Sequence, residues 1–375
     1  MTRRDFLRTS ALGTGVLALS PRLMASTGKE ASMNSPSDFE KVFGIDLESV
    51  RGPAGLITAR GADFGEIYFE NRVSTSIIME NGIFRDVVYS EDLGAGLRAV
   101  KDSRIAYGYT QTIDDKALKA VAKQVSSVSS NTGDRLIHPE KIRPAKMIGG
   151  LYSGASPSAY IDADKKTDLL KRANETARNY SKLVERVDIS LAEEIRLIGM
   201  LSTEGRFFVD AQPMIRFNVS VVAKKGSMRQ RGYSSGGGRM GLEYFDKLSP
   251  EEIAKDAARI AVNTIDAKPA PSGEQVVVLA PGDSGILLHE AAGHGLEADL
   301  NRKGTRKYAG KAGAMVASEL CTVVDSGLIP RDRGAIAVDD EGTVSSENYP
   351  IKGGKLMGYM HDRLSAHHYS REPLG

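Results

Sequence analysis

The sequence predicts an α+β protein, in which antiparallel, sheet-rich N-terminal domains with packed helices precede a partial C-terminal α+β metal-binding domain. Three observations lead to this class. Apolar segments of period two alternate with turns over residues 64–110 and again over 183–244. Segments with helical periodicity lie between and after those two stretches. A cluster of His and Glu residues follows a Pro-containing boundary at residues 268–273.

The composition is typical of a soluble globular protein. Of 375 residues, 26% are charged and 41% are hydrophobic, and this length predicts two or three domains that each bury a core. The 50 basic and 48 acidic residues nearly balance, and the basic residues form no concentrated run. Nucleic acid is therefore not an expected partner.

The amino terminus has the features of a twin-arginine export signal. Arg3 and Arg4 precede a mildly apolar stretch at residues 9–20, and Ala25 is a small residue suited to cleavage. The stretch is shorter than the roughly 20 residues that span a bilayer. We therefore expect residues 1–25 to be a signal peptide, a periplasmic or otherwise extracytoplasmic mature protein, and no stable membrane insertion after signal removal.

The first predicted domain, residues 38–130, begins with a meander of short strands. A hairpin turn at Asn81-Gly82 and a polar turn at residues 101–103 separate the strand segments. A helix then begins at Asp114, because Asp is a favoured N-cap and apolar residues follow on one helical face. The four strand segments are residues 64–69, 76–79, 84–89 and 96–100.

The second predicted domain, residues 131–268, adds a helix and another sheet. Helical periodicity covers residues 164–180, and a period of two returns over residues 183–244, which predicts a second sheet. We expect this sheet to end in a glycine-rich loop at residues 234–239. The Gly run in that loop favours a flexible hairpin tip, and a cradle for an anion is the alternative.

The last helix of the second domain has a strong start signal. Ser249 is suited to cap the helix, Pro250 to occupy its first turn, and Glu252 to complete a capping box. The apolar periodicity continues to about Ile265. We expect the domain to end there, before the boundary.

The third predicted domain, residues 269–375, contains the candidate metal site. A buried strand is expected over Gln275–Leu279, followed by a short helix that carries His289 and His294. Neutral imidazoles are good zinc ligands. The adjacent Glu290 is placed to deprotonate a water molecule held by the metal.

The spacing of the two His residues differs from the H-E-x-x-H pattern of zinc peptidases. His294 follows His289 by five positions, about 140° around a regular α-helix, against about 40° for a spacing of four. Both imidazoles can bind one ion only if the helix is distorted. Gly293 and Gly295 make a helix end or a π-type bulge accessible there. From the motif alone, a core position for one His and a helix cap for the other is an open alternative.

Residues 289–299 resemble the TldD/PmbA family of metallopeptidases, on the side of the family that carries the metal motif. The N-terminal segments 67–70, 94–98 and 107–110 resemble the family's first domain more loosely, so the resemblance covers most of the mature chain. Further matching segments are Asn301–Gly304, Ser318–Asp325, Asp339–Thr343, Gly353, Lys355–Leu356 and Gly358–Met360.

The resemblance implies a zinc-dependent peptidase that cleaves unfolded or flexible peptides bound in extended form. It implies that His289 and His294 bind Zn²⁺ and that Glu290 is the general base. It also implies a homodimer, or a heterodimer with a sibling of the TldD/PmbA family. The third family ligand is a Cys in a longer chain, so we expect a chain truncated at the C-terminus and a third ligand beyond residue 375.

Two other functions use the same residues. The first is a non-catalytic partner subunit that binds peptides or stabilises an active sibling, because two His ligands alone would hold zinc weakly. The second is a zinc hydrolase that acts on a non-peptide amide.

Other polar residues are weaker candidates for the site. Carboxylates a few residues after His294 are separated from it by too short a step to bind the same ion easily, and the resemblance leaves the later His positions variable. We interpret Cys321 as a packed thiol inside a strand, and residues 339–341 as a solvated acidic turn rather than a calcium site. The disfavoured third ligands are Glu297, Asp299, His361, His367 and His368.

Overall fold

The structure is a computed structural model that describes residues 35–128, 139, 141–152, 163–282 and 284–374. The export signal expected over residues 1–25 lies outside the described residues, so the exported location stays a prediction. Among the described residues, no helix has the length and apolar composition needed to cross a bilayer.

The N-terminal part combines helices with long strands, and the predicted α+β class is confirmed. Its helices are α1 (Pro36–Phe43), α2 (Leu47–Thr58), α3 (Asp115–Val125), α4 (Ala163–Tyr180) and α5 (Pro250–Asn263). Its strands are β1 (Phe64–Glu80), β2 (Ile83–Lys101), β3 (Arg104–Thr110), β4 (Arg143–Pro144), β5 (Val184–Ser202), β6 (Arg206–Lys225) and β7 (Met228–Gly238).

These strands form one sheet, so the expected second sheet is wrong. Their order is β3-β2-β1-β5-β6-β4, and β7 also pairs with β6. The pairs are antiparallel except for β4 with β6. The physical reason is that β1 pairs along its length with both β2 and β5. The strands of both predicted domains therefore belong to one layer, while the domain boundaries stay predictions.

The expected short strands are also longer than predicted. The polar middle of β1, residues 70–75, stays in the strand because its backbone pairs with a strand on each side. Its side chains contribute cross-strand ion pairs, Arg72 with Glu194 and Glu70 with Arg196. The predicted hairpin turn is confirmed, since Asn81 and Gly82 have φ angles of 50° and 82°.

The predicted helix starts are confirmed. The Asp114 side chain accepts a hydrogen bond from the backbone N–H of Ala117 at 2.7 Å. Ser249 and Glu252 form the expected reciprocal capping box. Helix α5 ends at Asn263, two residues before the expected end, and Ile265 packs in the core beyond it.

Two groups of helices cover the sheet. Helices α1, α2 and α3 pack on β1 and β2 in a core that includes Phe39, Phe69 and Phe207. The Phe39 ring makes edge contacts with the rings of Phe69 and Phe207, at centroid distances of 4.9 and 5.9 Å. Helices α4 and α5 pack on the far ends of β5 and β6. A separate cluster that includes Phe208 and Val338 joins the sheet to the C-terminal part.

The glycine-rich loop expected at residues 234–239 is wrong, because Gly236–Gly238 belong to β7 and pair with β6. A Cβ on Gly237 would lie 2.3 Å from the carbonyl oxygen of Ile215, and one on Gly238 would lie 2.4 Å from that of Arg331. The glycines therefore allow backbones to approach closely. They form neither a hairpin tip nor an anion cradle.

The C-terminal part is a smaller α+β unit. A three-stranded sheet of order β10-β9-β8 contributes Ile351 to a core that also includes Leu296 and Tyr359. Its helices are α6 (Ser284–Leu288), α7 (His294–Leu296), α8 (Ala298–Arg302) and α9 (Arg363–Tyr369), with a π-helical turn at His289–Gly293. Its strands are β8 (Val323–Ser326), β9 (Glu347–Lys352) and β10 (Lys355–Leu356).

Two expectations for this part are wrong. Gln275–Leu279 is neither a strand nor buried, and Val276 is 99% exposed. A strand needs a neighbour for its backbone hydrogen bonds, and none of the described strands pairs with this segment. Cys321 is exposed rather than packed, because it lies in a turn before β8, where its N–H bonds to the carbonyl oxygen of Ser318.

Charged side chains connect the C-terminal part to the sheet. Arg98 of β2 forms ion pairs with Glu66 of β1 and with Glu341. Arg363 of α9 lies 3.6 Å from Glu66 and 2.7 Å from Glu204. Helix α9 is therefore held against the N-terminal sheet by alternating positive and negative groups.

Candidate metal centre

The two His residues of the motif lie on one π-helical turn. The backbone N–H of His294 donates to the carbonyl oxygen of His289, five residues earlier. Because a π-helical turn closes over five residues, a spacing of five brings both side chains to the same side. Their ring centroids lie 4.4 Å apart with an interplanar angle of 63°. The distortion expected from the spacing is thus present.

Gly293 in this turn and Gly295 just after it provide space. A Cβ on Gly293 would lie 3.2 Å from Nδ1 of His289, and one on Gly295 would lie 2.7 Å from the ring of Tyr308. A side chain at either position would displace the first imidazole or the packed Tyr ring. Gly293 therefore leaves room for the His289 ring, and Gly295 leaves room for the Tyr308 ring.

The structure brings His289, Glu290 and His294 together. Each offers one ligand atom, and the three atoms lie within 4.8 Å of one another. This is the one such group of His, Cys, Asp and Glu in the part of the chain that the structure describes. His289 and Glu290 are exposed and His294 is half-buried. Two imidazoles with a carboxylate form a donor set suited to zinc and related divalent metals.

The two nitrogens of His294 face different carboxylates. Its Nε2 lies 3.7 Å from Oε2 of Glu290, inside the group of three. Its Nδ1 lies 3.1 Å from Oε1 of Glu297, which is within hydrogen-bonding distance. The sequence alone indicates Glu297 only as a disfavoured third ligand. The three-residue step from His294 is the signal that could have identified this contact.

The other His and Asp candidates do not join this group. His361 is buried against the rings of Tyr359 and Tyr369, and burial lowers its pKa. His367 and His368 lie exposed on α9, and Asp299 lies on α8. The described residues therefore place these four outside the candidate metal site.

The acidic run at residues 339–341 is a turn, as expected, but it is only partly solvated. Oδ1 of Asp339 accepts hydrogen bonds from the backbone N–H groups of Glu341 at 2.9 Å and Thr343 at 2.7 Å. The Glu341 carboxylate accepts from Arg98 and from the backbone N–H of Arg363. These carboxylates are engaged by protein donors, which does not favour a calcium site.

Replacing Asp339 with Asn should stabilise the protein near neutral pH. Burial raises the pKa of Asp339 to about 6 from 3.8, so folding favours its protonated form. The Asp339 carboxyl group makes its full contribution to the free energy of unfolding below about pH 4, and this contribution is lost as the pH rises through about 6. Asn stays neutral and can accept the same backbone hydrogen bonds, so we expect a gain of about 1–3 kcal/mol at pH 7.5.

Urea unfolding at pH 4, 5, 6 and 7.5 measures this gain, which should vanish at pH 4. The exposed neighbour Asp340 provides the control, since Asp340→Asn should change stability by less than about 0.5 kcal/mol. A gain for Asp339→Asn that is equal at all four pH values would contradict the titration of Asp339 as its cause.

Comparisons with known proteins identify the family. Sequence models of the PmbA/TldA metallopeptidase match as domain 1 over residues 65–129, as the central domain over 156–265 and as the C-terminal domain over 272–375. Together these matches cover more than half of the chain.

Individual relatives agree with this family. The chain is 38% identical over 317 residues to a metalloprotease TldD homolog of Buchnera aphidicola and 35% identical over 316 residues to one of Haemophilus influenzae. Each match covers 83% of this chain and 65% of the relative, so the chain spans about two thirds of their length.

Solved structures show the same fold at low sequence identity. A putative modulator of DNA gyrase from Thermotoga maritima matches with a TM-score of 0.70 and 19% identity, over 88% of this chain and 73% of that one. TldE from Thermococcus kodakarensis matches with a TM-score of 0.69 and 18% identity, over 87% and 73%. From the three matched domains and the TldD relatives, we conclude that the chain belongs to the PmbA/TldD family of metallopeptidases.

Proposed function

We propose that this protein is a zinc-dependent peptidase that cleaves unfolded or flexible peptides, with His289 and His294 as zinc ligands and Glu290 as the general base. The observation that carries this proposal is the convergence of the three side chains on one π-helical turn. The names of the relatives, which include metalloproteases and one zinc metalloprotease, support the same chemistry.

Each residue of the site has a defined task in this mechanism. His289 and His294 would hold the ion as neutral imidazoles. When bound, zinc supplies Lewis-acid polarisation of the scissile carbonyl. Glu290 takes a proton from the attacking water and later delivers it to the leaving amine. Its side chain is 64% exposed, so solvent and an extended peptide can reach the carboxylate.

The proposed partners follow from the family. We propose a dimer, either of two copies or with a related subunit of the TldD/PmbA family, because a TldE chain shares this fold. The proposed substrate is an extended peptide, since an extended chain can add to an exposed strand edge through its backbone hydrogen bonds.

A non-catalytic partner subunit is the second candidate function. The observation that favours it is the ligand count, because the described residues bring two imidazoles together with Glu290. Catalytic zinc sites typically have three protein ligands and an open position. If Glu290 acts as a base, the described cluster alone offers two ligands.

Metal analysis of the whole chain distinguishes the two functions. We expect about one zinc ion per chain after equilibration with excess zinc and removal of unbound metal. The double variant His289→Ala/His294→Ala should retain none. Cleavage of an unstructured peptide should follow the zinc content and stop when a chelator is added. A wild-type protein that binds no zinc at saturating concentrations would exclude the peptidase and favour the partner subunit.

A further inference from the structure

We propose that Glu297 is a positioning residue that holds the second imidazole of the site in the tautomer able to bind a metal. This inference rests on the proposed function, because it assigns a role toward the same site. It begins from one contact, the 3.1 Å distance between Nδ1 of His294 and Oε1 of Glu297. No role in the reaction follows for Glu297 itself, since it acts through His294.

The contact determines which ring nitrogen of His294 carries the proton. In a neutral imidazole one nitrogen is a donor and the other an acceptor. A carboxylate accepts hydrogen bonds, so Nδ1 beside Glu297 keeps the proton and donates it. The lone pair is then on Nε2, the nitrogen that faces Glu290 and the group of three.

The backbone that carries Glu297 is fixed by hydrogen bonds and by packed neighbours. The Asn301 side chain donates hydrogen bonds to the carbonyl oxygens of Glu297 at 2.7 Å and Gly295 at 2.8 Å, and Asn301 is only 3% exposed. The residues on either side of Glu297, Leu296 and Ala298, are each 1% exposed in the C-terminal core.

A neighbouring segment fixes the same backbone from the other side. The N–H of Ala298 donates to the carbonyl oxygen of Met360, and the N–H of Met360 donates to that of Leu296, both at 2.9 Å. Because the two flanking side chains point into the core, the half-exposed carboxylate of Glu297 lies at the surface beside His294. The core of the C-terminal part thereby orients a residue of the candidate site.

The contact favours positioning over direct ligation. Glu297 reaches the nitrogen of His294 that faces away from Glu290, and it is not one of the three residues whose ligand atoms lie within 4.8 Å of one another. Asp299 provides a matched control. It is an acidic residue two positions further on, and the described contacts give its side chain no hydrogen bond to His294.

The first test reads the tautomer of His294 directly in the metal-free protein, by ¹⁵N NMR of the imidazole. We expect wild type to show the proton on Nδ1, and Glu297→Ala to shift the proton toward Nε2. Glu297→Gln, which keeps an acceptor oxygen, should largely restore the wild-type signal. An unchanged tautomer in Glu297→Ala would overturn the proposal.

The second test measures zinc affinity by competition with a chelator. Glu297→Ala should weaken binding by about 10- to 100-fold, whereas Asp299→Asn should change it by no more than about twofold. An equal loss in Asp299→Asn would assign the effect to net charge and overturn the proposal. So would a loss in Glu297→Ala as complete as that in His294→Ala, which would make Glu297 a ligand.

The experiments can reject the proposed peptidase and the positioning role of Glu297 independently of each other. If the wild-type protein binds no zinc, the proposed peptidase is excluded, yet the NMR measurement still decides whether Glu297 sets the tautomer. If zinc binds and the tautomer does not respond to Glu297→Ala, the positioning role is wrong and the peptidase is unaffected. Circular dichroism of Glu297→Gln and Asp299→Asn checks that the fold is retained.

Discussion

Glu290→Gln is expected to lower the turnover of an unstructured peptide by about 10²- to 10⁴-fold while the protein keeps its zinc. Gln has nearly the shape of Glu but cannot take a proton from water or deliver one to the leaving amine. In the described residues no hydrogen-bond donor occupies the Glu290 carboxylate, and His294 Nε2 lies 3.7 Å away. The carboxylate is therefore available for proton transfer.

Initial rates on a labelled unstructured peptide, measured with zinc content on the same samples, give this result. Asp299→Asn is the matched control, since it removes a nearby carboxylate outside the group of three and should leave both quantities unchanged. Wild-type turnover in Glu290→Gln would remove Glu290 from the mechanism. Loss of zinc from that variant would instead show that the carboxylate is a ligand.

The candidate site was largely predictable from the sequence because its chemistry is local. The five-residue spacing of His289 and His294 required a distorted helix, and glycines at 293 and 295 indicated where. The sequence could not specify a π-helical turn. The π-helical turn and the packing of the Tyr308 ring beside Gly295 become visible only in the structure.

The sheet was predictable in its strands but not in its pairing. Alternation of apolar and polar residues indicates that a segment forms a strand, but it does not indicate which other strand pairs with it. Strand β1 pairs with β5, more than a hundred positions later in the chain, where Glu66 faces Ser202 and Glu80 faces Asp188. The predicted strand segments end at residue 69 and resume at residue 76, whereas pairing with a strand on each side keeps the residues between them extended.

Local composition predicted structure least well at two segments whose conformation and burial depend on tertiary contacts. Gly236–Gly238 were expected in a loop because glycines are common in turns, yet they allow β7 to approach its neighbours closely. The apolar run at residues 275–279 was expected to be buried, and it lies exposed in the described structure. In both cases the sequence shows the residue type but not the neighbouring backbone.

Lys166→Met is expected to destabilise the protein by about 3–5 kcal/mol, a large part of a typical domain stability. Lys166 of α4 forms an ion pair with Glu193 of β5, and their side chains are only 4% and 2% exposed. The ammonium group also donates to the Thr75 hydroxyl of β1 at 3.3 Å. Removing Lys166 leaves a buried carboxylate without its counter-charge, beneath a helix that is otherwise packed through Leu and Ala.

The double variant Lys166→Met/Glu193→Leu tests whether the cost comes from the unpaired charge. Replacing both members of a buried ion pair with apolar residues is often nearly neutral, so urea unfolding should show most of the loss recovered. The exposed pair Lys119 and Asp115 is the control, and Lys119→Met should cost less than about 1 kcal/mol. If the double variant is as unstable as Lys166→Met, packing of the Lys166 side chain, and not its charge, holds α4 on the sheet.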